Sequence, residues 1–194
     1  QWGPRTHRSE FAQPTSTLML AWRVPHSNHP DAAAISVLGS VLGDGRSAWL
    51  YKKFHDELGM AHDVSIMMIP EREGEGALVL EADVEREDRD TLRDALLAYL
   101  TTLPGADFEA ARLRTRRQMR VARLRTLSTV QGLAGTIGMA WHLNRNLNCM
   151  EEWDAALEQV TAEDLARVAA TYLRPERLVE VSVDPIGSNP QQET

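Results

Sequence analysis

Cysteine is almost missing: Cys149 is the one thiol in 194 residues. No disulfide can therefore form within the chain, and the redox compartment stays open. No apolar run approaches the ~20 residues of a bilayer-spanning helix, so no membrane span is expected. The local motifs of chemistry are missing too. There is no G-x-S-x-G elbow, no Walker pattern and no G-x-G-x-x-G behind a strand. Neither H-E-x-x-H nor its inverted form H-x-x-E-H occurs. No internal repeat or low-complexity tract is present. By its own residues the chain holds no recognisable catalytic centre.

What is there suits one globular domain with a sizeable core: 43% hydrophobic and 25% charged residues. A net charge of −7 argues against a surface built for nucleic acid or anionic membrane. The chain opens at Gln1-Trp2-Gly3-Pro4 without an initiator Met or a signal peptide and reads as a fragment of a longer polypeptide.

Residues 1–15 carry Pro4 and Pro14 and few apolar side chains, as an incoming linker would. From Ser16 to Val24 the pattern alternates, with Leu18, Leu20, Trp22 and Val24 on one side, which predicts a half-buried strand. A helix is expected from about Pro30 to Leu42, ended by Gly43 and Gly45. Ser47 can cap a second helix, in which Leu50, Phe54 and Leu58 share a face and Gly59 stops the run. Two strands follow, Ala61–Ile69 and Gly76–Val84, joined by a short polar connector that fits a hairpin.

Helical patterns then dominate, including an Arg-rich helix over Phe108–Leu127 capped by Asp107. Thr161-Ala162-Glu163-Asp164 reads as a capping box, with Val160 and Leu165 placed as a hydrophobic staple. Leu178–Val183 is expected as a closing strand with Val179, Val181 and Val183 inward. Residues after Pro185 are expected to be a flexible tail. The predicted class is α+β: a two-layer domain over 16–185, with a mainly antiparallel sheet and helices on one face. The other face, carrying Thr17, Arg23, Glu81, Asp83, Glu180 and Ser182, should meet water or a second domain.

Candidate chemistry is thin. His26 and His29, with Asp31, have a spacing that could seat a metal, but their proline-bounded loop offers no third and fourth ligand. They read as surface residues beside a helix start. The seven arginines from Arg112 to Arg125 make a basic helix; in an acidic chain they read as a solvated face paired with Glu and Asp. Cys149 has no neighbouring base in sequence and reads as structural.

The run Leu42-Gly43-Asp44-Gly45-Arg46-Ser47-Ala48-Trp49-Leu50-Tyr51, followed by Leu58-Gly59-Met60-Ala61, resembles the pitrilysin/insulinase family of zinc peptidases, where G-x-S-S-R-L-Y … G-L-A-Y is typical. Val160-Thr161-Ala162-Glu163-Asp164-Leu165 with Tyr172-Leu173 is similar to that family's closing V-T-x-x-D-L … Y-L signature.

The resemblance implies the mitochondrial processing peptidase-like metallohydrolase fold. Without H-x-x-E-H, it implies the C-terminal, non-zinc domain, not catalytic on its own. Such a domain forms half of a clamshell chamber and contacts a peptide substrate. Zinc and the general base come from an N-terminal H-x-x-E-H domain of the same polypeptide or of a partner subunit. Active relatives place an Arg on the helix and a Tyr seven residues later to reach the scissile carbonyl. Here His55 and His62 stand at those positions, and Trp49 replaces the Arg of the S-S-R-L-Y run. The expected substrate-binding residues are therefore His55 and His62, with no catalytic residue, metal or nucleic-acid partner in this chain. The alternative is a proteolytically inactive structural domain of the same fold. Self-association and a bacterial periplasmic or cytoplasmic setting are further expectations.

Overall fold

The computed structural model describes residues 5–186. The tail expected over 186–194 lies, apart from Ile186, outside the described residues. Five strands form one sheet in the order β1-β5-β2-β4-β3: β1 Arg5–Phe11, β2 Ser16–Pro25, β3 Asp63–Ile69, β4 Glu75–Val84 and β5 Leu178–Pro185. Six α-helices accompany them: α1 Ala32–Gly43, α2 Arg89–Thr102, α3 Glu109–Leu127, α4 Val130–Asn144, α5 Cys149–Gln159 and α6 Ala162–Tyr172.

The alternation in β2 and β4 places Leu18, Leu20, Trp22 and Val24 beside Leu78, Leu80, Ala82 and Val84 on one face, all buried. Against that face lies α1, whose Ile35, Val37, Leu38, Val41 and Leu42 are buried as well. A helix buried on nearly all sides sits inside the core. Helix α6 adds Leu165 and Val168, and α2 adds Leu92, Leu96 and Leu100. The capping box forms as expected: Thr161 accepts from the Asp164 N–H at 3.1 Å and Asp164 accepts from the Thr161 N–H at 3.1 Å.

Two expectations change. Residues 5–11 of the expected linker form a strand, because backbone bonds to β5 substitute for the apolar alternation that would betray a strand in sequence. Every residue of β1 is exposed and several are charged, which suits an unpaired outer edge. A turn over 12–15 makes β1 and β2 run oppositely, and β5 lies between them. Being antiparallel to β2, β5 must be parallel to β1.

The second change concerns β5. Glu180, Ser182 and Asp184 are the buried side, sharing a face with Leu18 and Leu20, while Val179, Val181 and Val183 are half-buried on the opposite face. Period two identifies a strand but not which set faces the core. Here α2 supplies the counter-charges, Arg89 to Asp184 and Arg93 to Glu180. The open sheet face is consequently more apolar than expected, with Met67 and Ile69 exposed on it.

Helix α6 is tied to the start of α1 through Asp31. Tyr172 donates to Asp31 Oδ2 at 2.7 Å and Arg167 pairs with Asp31 Oδ1 at 2.7 Å. The Arg167 guanidinium, against the opposing effect of burial, holds the Asp31 carboxyl below the usual range. Burial, then the bond to Asp31, pushes the Tyr172 phenol up to about 12. Tyr172→Phe should lower unfolding free energy by about 1.5 kcal/mol near neutral pH, the worth of a hydrogen bond to a charged group. A raised folded value contributes below the unfolded value of ~10 and is lost as pH rises through about 12. The gap between wild type and variant in urea unfolding should therefore narrow from pH 8 to pH 11.5.

Candidate functional site

The segment linking α1 to β3 carries both substrate-contact candidates. Helix α1 ends where Gly43 lies against Ile66 of β3, so closely that a Cβ would stand 2.1 Å from the Ile66 backbone nitrogen. Gly45, at φ 73°, turns the chain in a region that L side chains rarely adopt. Ser47 makes no capping bond to the next helix; the turn is closed by the Ala48 N–H donating to the Gly45 carbonyl at 3.0 Å. Trp49 then stacks on Phe108 of the core with ring centroids 4.9 Å apart. The residue that departs from the family's Arg is thus a packing residue here.

The second helix is π-helical over Tyr51–Glu57 rather than α-helical. Leu50 and Phe54 are buried as expected, Phe54 edge-on to Tyr99, but Leu58 at the end of the turn is 48% exposed. The Phe54 carbonyl accepts from the N–H groups of both Met60 and Ala61, and Gly59, at φ 61°, leads the chain out towards β3. Seven residues of π-helix are rare, and π geometry concentrates at functional sites.

His55 lies on this segment, stacked on Tyr51 at 4.3 Å. Its Nε2 is 3.3 Å from the Tyr51 hydroxyl and its Nδ1 is 2.9 Å from Asp56 Oδ1. A carboxylate only accepts, so Nδ1 carries the proton, and neutral His55 offers Nε2 as the acceptor for the Tyr51 O–H. His62, just before β3, has Nε2 3.0 Å from Glu85 Oε1, and its backbone N–H donates to the Asp83 carbonyl at 2.8 Å. By the same logic neutral His62 turns an acceptor, Nδ1, outward; only an imidazolium would offer a second N–H. Both rings are partly exposed, at 37% and 55%. Among the described residues no hydrogen bond or ring contact joins the two histidines, each being held by a carboxylate on its own side of the Gly59 turn. Acidic groups gather around His62: Glu85, its neighbour Asp63, and Asp83 opposite Asp63 on β4. Tyr51, Asp56 and Glu85 were not singled out in the sequence. The four-residue spacing of Tyr51 and His55 on a helix was the available signal; Glu85 gave none, lying 23 residues from its partner.

His26 and His29 meet edge to face with centroids 6.0 Å apart. His29 Nδ1 accepts from the Asp31 N–H, and the Asp31 carboxylate is taken by Tyr172 and Arg167. Among the described residues no group of three or more His, Cys, Asp or Glu is placed to hold a metal ion. The residues present do not fit a resident zinc. On the Arg-rich α3, Arg112 pairs with Glu109, Arg116 and Arg120 with Glu158, and Arg123 with Asp154. Asp107 accepts from the Glu109 N–H at 3.0 Å at that helix's start.

These elements define a two-layer α+β domain whose candidate site offers hydrogen-bonding groups but no assembled catalytic centre. The family profile described as Peptidase M16 inactive domain matches residues 3–119, and the chain belongs to that family, as its likeness to the pitrilysin/insulinase peptidases led one to expect. The match includes the Leu42–Ala61 run; the closing signature lies beyond it. No curated protein sequence matches the chain.

Among solved structures, a protease from Helicobacter pylori superposes with a TM-score of 0.86 at 21% identity, over 95% of this chain and 45% of that one. A peptidase M16 inactive domain from Pseudomonas fluorescens gives 0.81 at 18%, over 95% and 44%. An inactive peptidase domain from Bordetella parapertussis gives 0.81 at 18%, over 95% and 98%. At these identities the likeness establishes the fold. The chain spans less than half the length of the first two structures.

Proposed function

We propose that this chain is the non-catalytic half of a zinc metalloendopeptidase. It forms one wall of a clamshell chamber and contacts the peptide, while an H-x-x-E-H domain, on the same polypeptide or a partner chain, supplies the zinc and the general base. The observation that carries the reading is the membership of the M16 inactive-domain family in a chain matching 45% of the Helicobacter pylori protease. His55 and His62 would be the groups facing the scissile region. The π-helical setting of His55 and the partial exposure of both rings favour this role. Each could give one hydrogen bond to a developing oxyanion as an imidazolium, without the permanent charge or fork of Arg.

The second reading, a structural domain of the same fold, is favoured by the own-chain carboxylates that occupy one nitrogen of each ring. The two separate in the assembly that contains the catalytic domain. If the contact role holds, His55→Ala or His62→Ala lowers kcat/KM for a peptide by about tenfold, the worth of one hydrogen bond of ~1.4 kcal/mol, with thermal stability unchanged. Unaltered kcat/KM in both variants would sink the contact role and leave the structural one.

A further inference from the structure

Strand β1 puts nothing into the core. All seven of its side chains are exposed, whereas β2, β3, β4 and β5 each alternate buried residues with open ones. Its pairing with β5, from Arg5 opposite Val179 to Phe11 opposite Pro185, is a backbone ladder on one side only. Side chains add two ion pairs, Arg8 to Asp90 at 3.1 Å and Arg86 to Glu10 at 2.7 Å. Both pairs are half-exposed, and such pairs contribute little and weaken in salt.

What lies beneath β1 is polar. Arg8 and Glu10 stand opposite Ser182 and Asp184, which with Glu180 form the buried side of β5. Among the described residues, Glu180 Oε1 and Ser182 Oγ are shut off from solvent without a hydrogen-bond partner, Glu180 meeting Arg93 only at 3.6 Å. A cavity of about 320 Å³ already lies among Arg8, Ser9, Glu10, Arg86, Arg89 and Asp184. Lifting β2 or β4 would wet Leu, Val and Trp side chains. Lifting β1 gives water to polar groups that lack partners, so opening loses backbone bonds without exposing apolar core. Gln13 donates to the Thr15 and Val183 carbonyls at 2.7 and 2.9 Å, which fixes the turn and marks where a released segment ends.

We infer that β1 is an exchangeable strand. It leaves β5 as a unit while β2 to β5 stay paired, and two copies of the chain trade it, each β1 completing the other's sheet. The occupant of the freed β5 edge is set by the pairing already present. A second copy's β1 brings the same register, and the same charges to Asp90 and Arg86. Exchange of an identical element is a low-cost route to a symmetric dimer, and an uncovered edge is a template for a strand. The inference goes beyond the chamber reading and does not depend on His55 or His62.

Hydrogen exchange on the 194-residue chain reads the opening. Amides bonded between β1 and β5 should exchange about 100-fold faster, or more, than those bonded between β2 and β4, since local opening costs far less than global unfolding. Added salt should speed exchange in β1 further and leave the β2–β4 ladder unmoved, because screening weakens the two ion pairs. Ser9 and Val183 stand opposite each other on the open face, at a strand spacing that suits a disulfide. A chain carrying Ser9→Cys and Val183→Cys together, with Cys149→Ser, should when oxidised hold β1 closed and remove its fast exchange.

Crosslinking reads the trade between copies. Ser9→Cys in one chain and Val183→Cys in another, both with Cys149→Ser, are mixed at high protein concentration and then oxidised. The covalent pair should exceed by about tenfold or more that from a control mixture of Ser9→Cys with Val79→Cys, because only exchanged strands hold the first two thiols at strand spacing. Val79 lies on the same sheet face but on β4. Amides of β1 as well protected as the β2–β4 ladder overturn the inference, and so does a crosslink no more abundant than the control. Either result leaves the kcat/KM of the histidine variants to judge the chamber reading independently.

Discussion

Gly43→Ala should lower the unfolding free energy by about 3 kcal/mol, at the upper end of what one inserted methyl costs in a packed site. The melting temperature should fall by roughly 6–12 °C for a chain of this length. The new Cβ would lie 2.1 Å from the Ile66 nitrogen, 2.6 Å from its Cβ and 2.8 Å from its Cα. Two of these are backbone atoms of a strand paired to β4, so no rotamer change relieves the overlap, and α1 must lift from β3. Gly39, one turn earlier on α1, is the control. A Cβ there meets Leu78 Cδ1 at 3.3 Å and Ile66 Cγ2 at 3.4 Å, side-chain tips that can yield. Gly39→Ala should stay within about 1 kcal/mol of wild type, aided by alanine's helix propensity. Gly45→Ala faces open space but at φ 73°, and should cost about 1–2 kcal/mol from backbone strain alone. Equal melting temperatures for the Gly39 and Gly43 variants would show that the helix–strand approach is not tight. Because Gly43 fixes how α1 meets β3, it also sets where the chain leaves for Tyr51–Glu57 and returns at His62.

That glycine shows what the sequence could and could not disclose. Gly43 reads locally as part of a helix stop; it is in fact the last residue of α1, the turn being made at Gly45, and that it admits β3 is a tertiary fact with no local signature. The faces of β2 and β4 were legible because their apolar and polar residues alternate cleanly, and the capping box because its groups lie within four residues. β1 was invisible because an edge strand needs only backbone groups and a willing neighbour. β5 was recognised as a strand but turned over, since its acids are neutralised from α2, about 90 residues away in sequence. At the candidate site, laying the family pattern on the chain picked out His55 and His62. Their partners follow from the π-helix and from where the end of β4 brings Glu85; the β3–β4 hairpin is legible in the alternation, but local periodicity foretells neither the π geometry nor that pairing. The π geometry escapes sequence because Leu50 and Phe54 satisfy an α-helical stripe equally well.

The inverted β5 leads to the other large effect. Asp184→Ala should lower unfolding free energy by about 3–5 kcal/mol at pH 7, the usual cost of stranding one member of a buried ion pair. Arg89 and Asp184 are each only 6% exposed, and Asp184 also accepts a hydrogen bond from Ser16 at 2.7 Å. Deleting the carboxylate leaves the Arg89 guanidinium buried against Asp90 alone. Replacing both partners, Arg89→Met with Asp184→Leu, should recover much of the loss, because the desolvation penalty disappears with the charges. The same pair sets an acid limb. Burial pushes the Asp184 carboxyl up, but the bonds from Arg89 and Ser16 outweigh it and hold it below the usual range. A depressed carboxyl contributes in full above its unfolded value of ~3.9 and loses that contribution as pH falls through the folded value. Asp31 and Asp164 are held down in the same direction, so wild type should weaken steadily below about pH 4. In the Asp184→Ala chain one of those contributions is already gone. The difference in urea midpoint between wild type and variant should therefore be largest near neutrality and shrink by pH 2–3. A constant difference across that interval would mean that the cost of Asp184→Ala is packing, and that the buried acids of β5 are tolerated rather than used.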